Sequence, residues 1–315
     1  MGKKSRVRAR SEATSAGGEV GPRQPCPCGS GRRYKACHGD PSGPPAVFVS
    51  RPFAGLKAEC DIVALRELVP AATAPLELAG SVATERSVLL CSLLPGASPA
   101  LVRQDGTVWL GLQVQHQFGD PSRDLGAVLE RALEAEPGTM VGLTDPPGEG
   151  PRLQDLVKDA PLDLTVHDSF EYWIADLGSD GDALRPALES ANAAAHPTVR
   201  LGSVEAAYWT DVGTKEHLRW VMPHDEEPLL AALARLHVAG KDVIVPDARL
   251  VGMFRVHGLL VPVWDLPEET GAEVLEGPAA QFAKDLETAL ADTSPLSAEE
   301  RSARSGLANR QLTIR

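Results

Sequence analysis

Residues 101–136 read LVRQDGTVWLGLQVQHQFGDPSRDLGAVLERALEAE, and this stretch decides the fold class. Asp105 and Gly106 signal a two-residue hairpin, because both central positions of a type I′ turn need φ > 0. Beyond the turn, Val108, Leu110, Leu112 and Val114 alternate with Trp109, Gly111 and Gln113, the period of a half-buried strand. Gly119, Asp120, Pro121 and Ser122 then open a helix in which Leu125, Val128, Leu129 and Leu133 share one face. The unit is a hairpin followed by a helix.

The same order reads three more times along the chain. In residues 163–195, His167 and Asp168 turn between a strand at 164–166 and a strand at 170–174, and a helix follows from about Asp182 with Pro186 in its first turn. In residues 206–240, strands at 207–210 and 218–222 precede a helix with Leu229, Leu233 and Leu236 on one face, which ends at Gly240. In residues 252–292, a turn at His257 and Gly258 leads into a strand at 259–264 and a helix through Phe282, Leu286 and Leu290. Each unit carries one tryptophan on a strand near its helix: Trp109, Trp173, Trp220 and Trp264. Either the units are divergent copies, or this order is simply common. Both readings predict an α+β body of loosely repeated hairpin–helix units with mainly antiparallel sheet.

Composition agrees with a folded body. Hydrophobic residues make up 43% of the 315 residues, enough for a sizeable core, while aromatics at 4% leave that core to Ala, Val and Leu. The net charge of −12 is unevenly spread. Residues 1–40 carry nine Lys/Arg against three Asp/Glu, residues 41–292 carry 18 against 38, and residues 293–315 carry four against two. An acidic body repels nucleic acid, so DNA is not an expected partner, and any polyanion contact falls to Lys3, Lys4, Arg6, Arg8 and Arg10. The N-terminus lacks an apolar signal core, the apolar runs are too short to span a bilayer, and five cysteines is an odd number. A cytoplasmic location with reduced thiols is expected.

The segment PCPCGSGRRYKACHGD (25–40) carries the sharpest chemistry. Cys26, Cys28, Cys37 and His38 stand at C-x-C-x8-C-H, and three thiols with one imidazole suit a closed tetrahedral Zn²⁺. Pro25 and Pro27 restrict the backbone around the first two thiols, and Gly29 and Gly31 let backbone N–H groups approach the sulfurs. A helical turn through residues 32–36 would return Cys37 to the metal, and must end there for His38 to bind as well. Arg32, Arg33 and Lys35 offset the site's net negative charge. Boundaries follow: a disordered basic tail (1–24), the zinc knuckle (25–40), a Pro/Gly linker PSGPPA (41–46), an acidic α+β domain (47–292) and a C-terminal tail (293–315) that reads as a loose helix or tail.

PCPCGSGRRYKACHG resembles the SEC-C motif, the zinc-binding tail of the SecA preprotein translocase family. The resemblance implies that Cys26, Cys28, Cys37 and His38 are the zinc ligands, and that the segment docks on a partner such as the ribosome or a SecB-like chaperone. RPFAGLKAECDIVALRELVPAATAPLEL (51–78) is similar to a bacterial family that joins this motif to a C-terminal domain of unknown function; that similarity implies no activity. The translocase motor is absent, since no G-x-x-x-x-G-K-[ST] occurs.

The body offers weaker candidates. Histidines stand at 116, 167, 196, 217, 224, 237 and 257, in no H-E-x-x-H or G-x-S-x-G pattern. His167 with Asp168 and His224 with Asp225 fit turns better than acid–base pairs; His237 fits a helix C-terminus, and the acidic run 225–227 a helix N-terminus. Cys60 and Cys91 read as buried free thiols. The expected function is a zinc-binding adaptor. The alternative is a hydrolase-type enzyme with a site in residues 47–292, which requires a polar pocket gathering two or more of His116, His167, His217 and His257 with a carboxylate.

Overall fold

The computed structural model describes residues 23–24, 33–34, 48–175 and 177–312. The chain divides into two units, Met1–Val49 and Ser50–Arg315. The expected tail, zinc knuckle and linker therefore lie outside the described residues, apart from Arg23, Gln24, Arg33 and Tyr34. The larger unit is α+β, with seven α-helices and two mostly antiparallel sheets among the described residues.

The first sheet holds β1 (Ala72–Pro75), β2 (Val88–Cys91), β3 (Ala100–Val102), β4 (Val108–Gly111), β5 (Met140–Val141) and β6 (Thr165–Val166) in the order β5-β3-β4-β2-β1-β6. Every pair is antiparallel except β2 with β4, because β3 takes the outer place and β4 returns beside β2. The hairpin at 101–136 is present, with a different turn. Only Gly106 has positive φ (87°); its N–H donates to Arg103 O, and Asp105 accepts from the Thr107 N–H. This is a three-residue loop closed by a glycine bulge, not a type I′ turn. The helix α2 (Pro121–Glu134) follows, with Asp120 accepting from the Ser122 and Arg123 N–H groups as its N-cap.

The second sheet holds β7 (Thr198–Arg200), β8 (Ala207–Asp211), β9 (Glu216–Trp220), β10 (Arg249–Val256) and β11 (Leu259–Leu266) in the order β10-β11-β9-β8-β7, all antiparallel. Here His257 and Gly258 do form a two-residue turn with both φ positive, at 46° and 78°. The helices α5 (Glu226–Val238) and α6 (Glu276–Ala291) follow their hairpins as expected.

The unit at 163–195 differs. Its first strand, β6, pairs with β1 of the first sheet, and Glu171–Trp173 is a 3-10 turn, not a strand. Tyr172 OH and Trp173 Nε1 both donate to Leu93 O at 3.1 Å, so these aromatics cap the sheet instead of joining it. A second 3-10 segment, Gly178–Leu184, precedes α4 (Arg185–Ala194). The hairpin–helix order therefore holds in three of the four expected units.

The expected C-terminal tail is also structured. The helix α7 (Ala298–Asn309) opens on a capping box between Ser297 and Glu300 and buries Leu307. Beyond it, Met253 N donates to Arg310 O and Leu312 N donates to Met253 O, both at 3.0 Å, which adds a short stretch of chain to the β10 edge.

Alternation assigns the faces. Val88, Leu90, Ala100, Val102, Val108 and Leu110 of the first sheet share a core with α1 (Glu59–Glu67), α2, and Tyr208, Phe254, Val261 and Val263 of the second sheet. Ile62, Val63, Ala64 and Leu65 are at most 1% exposed, so α1 is buried between the sheets on nearly all sides. The opposite face of the first sheet packs Cys91 and Trp109 against Phe170, Trp173 and Leu188. The opposite face of the second sheet packs Leu218, Trp220 and Trp264 against Leu229, Leu233, Phe282 and Leu307 of α5, α6 and α7.

Candidate functional site

In the N-terminal unit, the Tyr34 N–H donates to Gln24 O at 2.8 Å. That bond brings residue 34 beside residue 24. Cys26, Cys28, Cys37 and His38 themselves lie outside the described residues. Their chemistry fits Zn²⁺: three thiolates and an imidazole are soft and borderline donors in the number a closed tetrahedral site uses. Among the described residues, no group of three or more His, Cys, Asp or Glu could hold a metal ion.

The body does not gather its histidines. His167 Nε2 lies 2.8 Å from Thr73 Oγ1 on the first sheet and stacks on Tyr172 at 4.7 Å. His257 Nε2 lies 2.7 Å from Glu67 Oε1 at the end of α1, with Phe53 edge-on at 5.8 Å. His237 Nδ1 lies 2.6 Å from Asp242 Oδ2, just past α5. His217 sits beside Asp265 on the second sheet, and His116 is exposed on the loop after β4. His224 lies between β9 and α5, held below its ordinary range by burial. A small cavity beside Arg66 is lined by His116 and Asp124 without a second histidine.

The acidic run at 225–227 serves packing. Asp225 pairs with Arg51, Glu226 with Arg255 of β10, and Glu227 with Arg304 of α7, so the start of α5 is tied to three separate segments. Cys60 and Cys91 are free thiols. Burial pushes Cys60 up to about 12 and raises Cys91 as well, so neither is a thiolate near neutral pH.

Two polar groupings escaped the sequence reading. In the first, Arg66 of α1 is buried; its Nη1 donates to Leu112 O at 2.5 Å, while its Nε has no hydrogen-bond partner and lies 3.5 Å from Glu67 Oε1. Arg66 lines a small cavity with Asp124, His116, Val114 and Leu125, and the space holds about one water molecule. Burial raises Asp124 to about 6, opposed by the Phe118 N–H it accepts and by Arg66. That cavity is too small for an organic substrate.

The second grouping lies on the second sheet, on the face toward α1. Strand register aligns Thr198, Thr210, His217 and Asp265 in one row, and Arg200, Tyr208, Arg219 and Val263 in the next. Asp61 of α1 accepts from Tyr208 OH at 2.7 Å and from both Nε and Nη2 of Arg200. Asp265 accepts from Lys215 Nζ at 2.7 Å, and its other oxygen lies 3.0 Å from His217 Nδ1 without hydrogen-bond alignment. Arg219 is partly buried, burial lowers its guanidinium, and among the described residues no hydrogen bond or ion pair engages it. The signal was present in EHLRW (216–220), where His217 and Arg219 alternate with buried Leu218 and Trp220. The partners on other strands could not be read from spacing.

Comparison with known proteins follows the same division of the chain. The SEC-C motif matches residues 23–40. No curated protein and no solved structure matches the chain. A family of unknown function, DUF5926, matches residues 52–315, and the chain belongs to that family.

Proposed function

We propose that this chain is a zinc-binding adaptor: residues 25–40 hold one Zn²⁺ through Cys26, Cys28, Cys37 and His38, and with the basic tail (1–24) they dock on a larger cytoplasmic partner. The match to the SEC-C motif carries this reading. The ribosome and a SecB-like chaperone are the partners that the motif's likeness to the translocase tail implies. Three further observations support it. The bond between Tyr34 and Gln24 brings together two residues that flank Cys26 and Cys28 in sequence. The larger unit begins at Ser50, just past the Pro/Gly linker at 41–46. Free Cys60 and Cys91 suit a reducing compartment, and no described helix is long and apolar enough to cross a membrane.

The test is elemental analysis of the full chain, followed by co-sedimentation with ribosomes and a binding assay with SecB, each repeated on a chain lacking residues 1–40. One zinc per chain, with binding to either partner lost on deletion, is the expected result. A zinc-free protein, or binding that survives the deletion, overturns the reading.

A further inference from the structure

We propose that Arg219, with His217 beside it, forms a site on the second sheet for a tetrahedral oxyanion of the phosphate class. A partly buried guanidinium with no counter-ion is costly, because desolvation is not offset by any charge partner. Among the described residues, no hydrogen bond or ion pair engages Arg219. Its charged neighbours do not neutralise it. Asp61 is committed to Arg200 and Tyr208, and Asp265 to Lys215 and His217. Arg219 is thus left without a counter-ion beside the pairs that Asp61 and Asp265 form.

The donors suit a tetrahedral dianion. Arg219 and His217 are two residues apart on one face of β9, so their side chains rise about 7 Å from each other along the strand. The guanidinium fork takes two oxygens of a phosphate group bidentately. A protonated His217, its Nδ1 3.0 Å from an Asp265 oxygen, is the donor for a third. A carboxylate could fill the fork but has no third oxygen for the imidazolium. The groups facing His217 are Asp265 from β11, uncharged Thr210 from β8, and Lys215 and Arg219 from its own strand. Burial holds His217 below its ordinary range; Asp265 opposes that, and Arg219 and Lys215 add to it. An anion between Arg219 and His217 reverses the last contribution, so binding takes up a proton and weakens as pH rises, by up to about tenfold for a one-unit shift of His217 on binding.

The test titrates the full chain with sodium sulfate, which does not itself titrate in this range, against sodium chloride and sodium acetate at matched ionic strength. His217 ring resonances and the melting temperature are followed. The expected result is a saturable His217 shift and a rise in melting temperature with sulfate only, stronger at pH 6 than at pH 8. Arg219→Gln is expected to lose both responses and to melt no lower than wild type, since it removes an uncompensated charge. Arg219→Lys, which keeps the charge without the fork, is expected to retain a weakened response. No saturable shift in wild type, an equal shift in Arg219→Gln, an equal response to acetate, or a response unchanged by pH each overturns the proposal. If Arg219→Gln does not fold, an undiminished sulfate response in Arg219→Lys does the same.

Discussion

Asp124 shows how a single buried carboxylate sets a pH dependence. Burial raises it to about 6, against an unfolded value near 3.9. The folded chain therefore holds this proton more tightly than the unfolded chain. The stability it contributes is present below the unfolded value and is lost as pH rises through about 6. The difference in unfolding free energy between wild type and Asp124→Asn is expected to fall by on the order of 2–3 kcal/mol between pH 4 and pH 7.5, as urea melts would measure. A difference that is flat with pH would show that the carboxylate is ordinary. Gly252 makes a steric prediction. A Cβ there would stand 2.6 Å from Arg310 O and 3.0 Å from Leu312 Cγ, both in the segment that pairs with β10. Gly252→Ala should destabilise by about 1–3 kcal/mol, with faster hydrogen exchange at the Leu312 amide. Neither role was legible beforehand. Asp124 reads as an ordinary first-turn acid of α2, and Gly252 as a strand glycine. What makes each matter is a segment 58 residues away in sequence for Asp124 and Arg66, and likewise for Gly252 and Arg310.

Elements were most legible where turn chemistry and apolar period agreed. The second sheet's β10 and β11 followed from His257, Gly258 and the run LLVPVW, and α5 from Leu229, Leu233 and Leu236 with Gly240 closing at φ 67°. Misreadings came where aromatic residues with strand propensity serve another layer. Phe170, Tyr172 and Trp173 prefer strands as residue types, yet their rings are worth more as a lid over Cys91 and Trp109, and a 3-10 turn places all three there. The C-terminal end reads as a loose helix or tail for the opposite reason: apart from Leu307 and three alanines α7 is polar, so composition alone leaves both readings open. Its signature was in the sequence all the same, as the S-x-x-E of Ser297 and Glu300. Leu307 is 1% exposed and lies in the core shared with α5 and α6. Leu307→Ala should cost about 2–4 kcal/mol, read as a lowered midpoint in chemical denaturation. An effect below ~0.5 kcal/mol would mean that α7 is held by the Arg304–Glu227 ion pair and the Arg255 hydrogen bond to Ala308 O rather than by packing.

For the molecule as a whole, the division at Val49 and Ser50 matters most. The SEC-C motif was legible because it is written in residue type and short spacing; the body's role was not, because no comparable local pattern occurs in it. If the larger unit holds its own core, chelating the metal should leave its cooperative melting unchanged, since no described residue group binds a metal there. Loss of that transition on chelation would show the knuckle to be part of the body's fold. The charge division carries the final prediction. Residues 1–40 hold an excess of six positive charges, against an excess of 20 negative charges in residues 41–292. On the proposed docking role, such polarity would turn the basic end toward an RNA-rich partner and keep the body away from it. If Lys3, Lys4, Arg6, Arg8 and Arg10 each neutralise one phosphate, log K for ribosome binding should fall against log salt with a slope near about −3.5 to −4.5. Affinity then drops by roughly two to nearly three decades between about 50 and 200 mM salt. If the motif binds zinc as proposed, Arg32, Arg33 and Lys35 would add orientation, because a fixed basic face positions better than a loose tail. Co-sedimentation across a salt series separates these contributions. A chain lacking residues 1–24 should bind more weakly with a shallower slope, and a Cys28→Ser chain should keep the slope while losing affinity. A truncation that leaves both affinity and slope unchanged would remove the tail from the interface and leave recognition to the knuckle or the body.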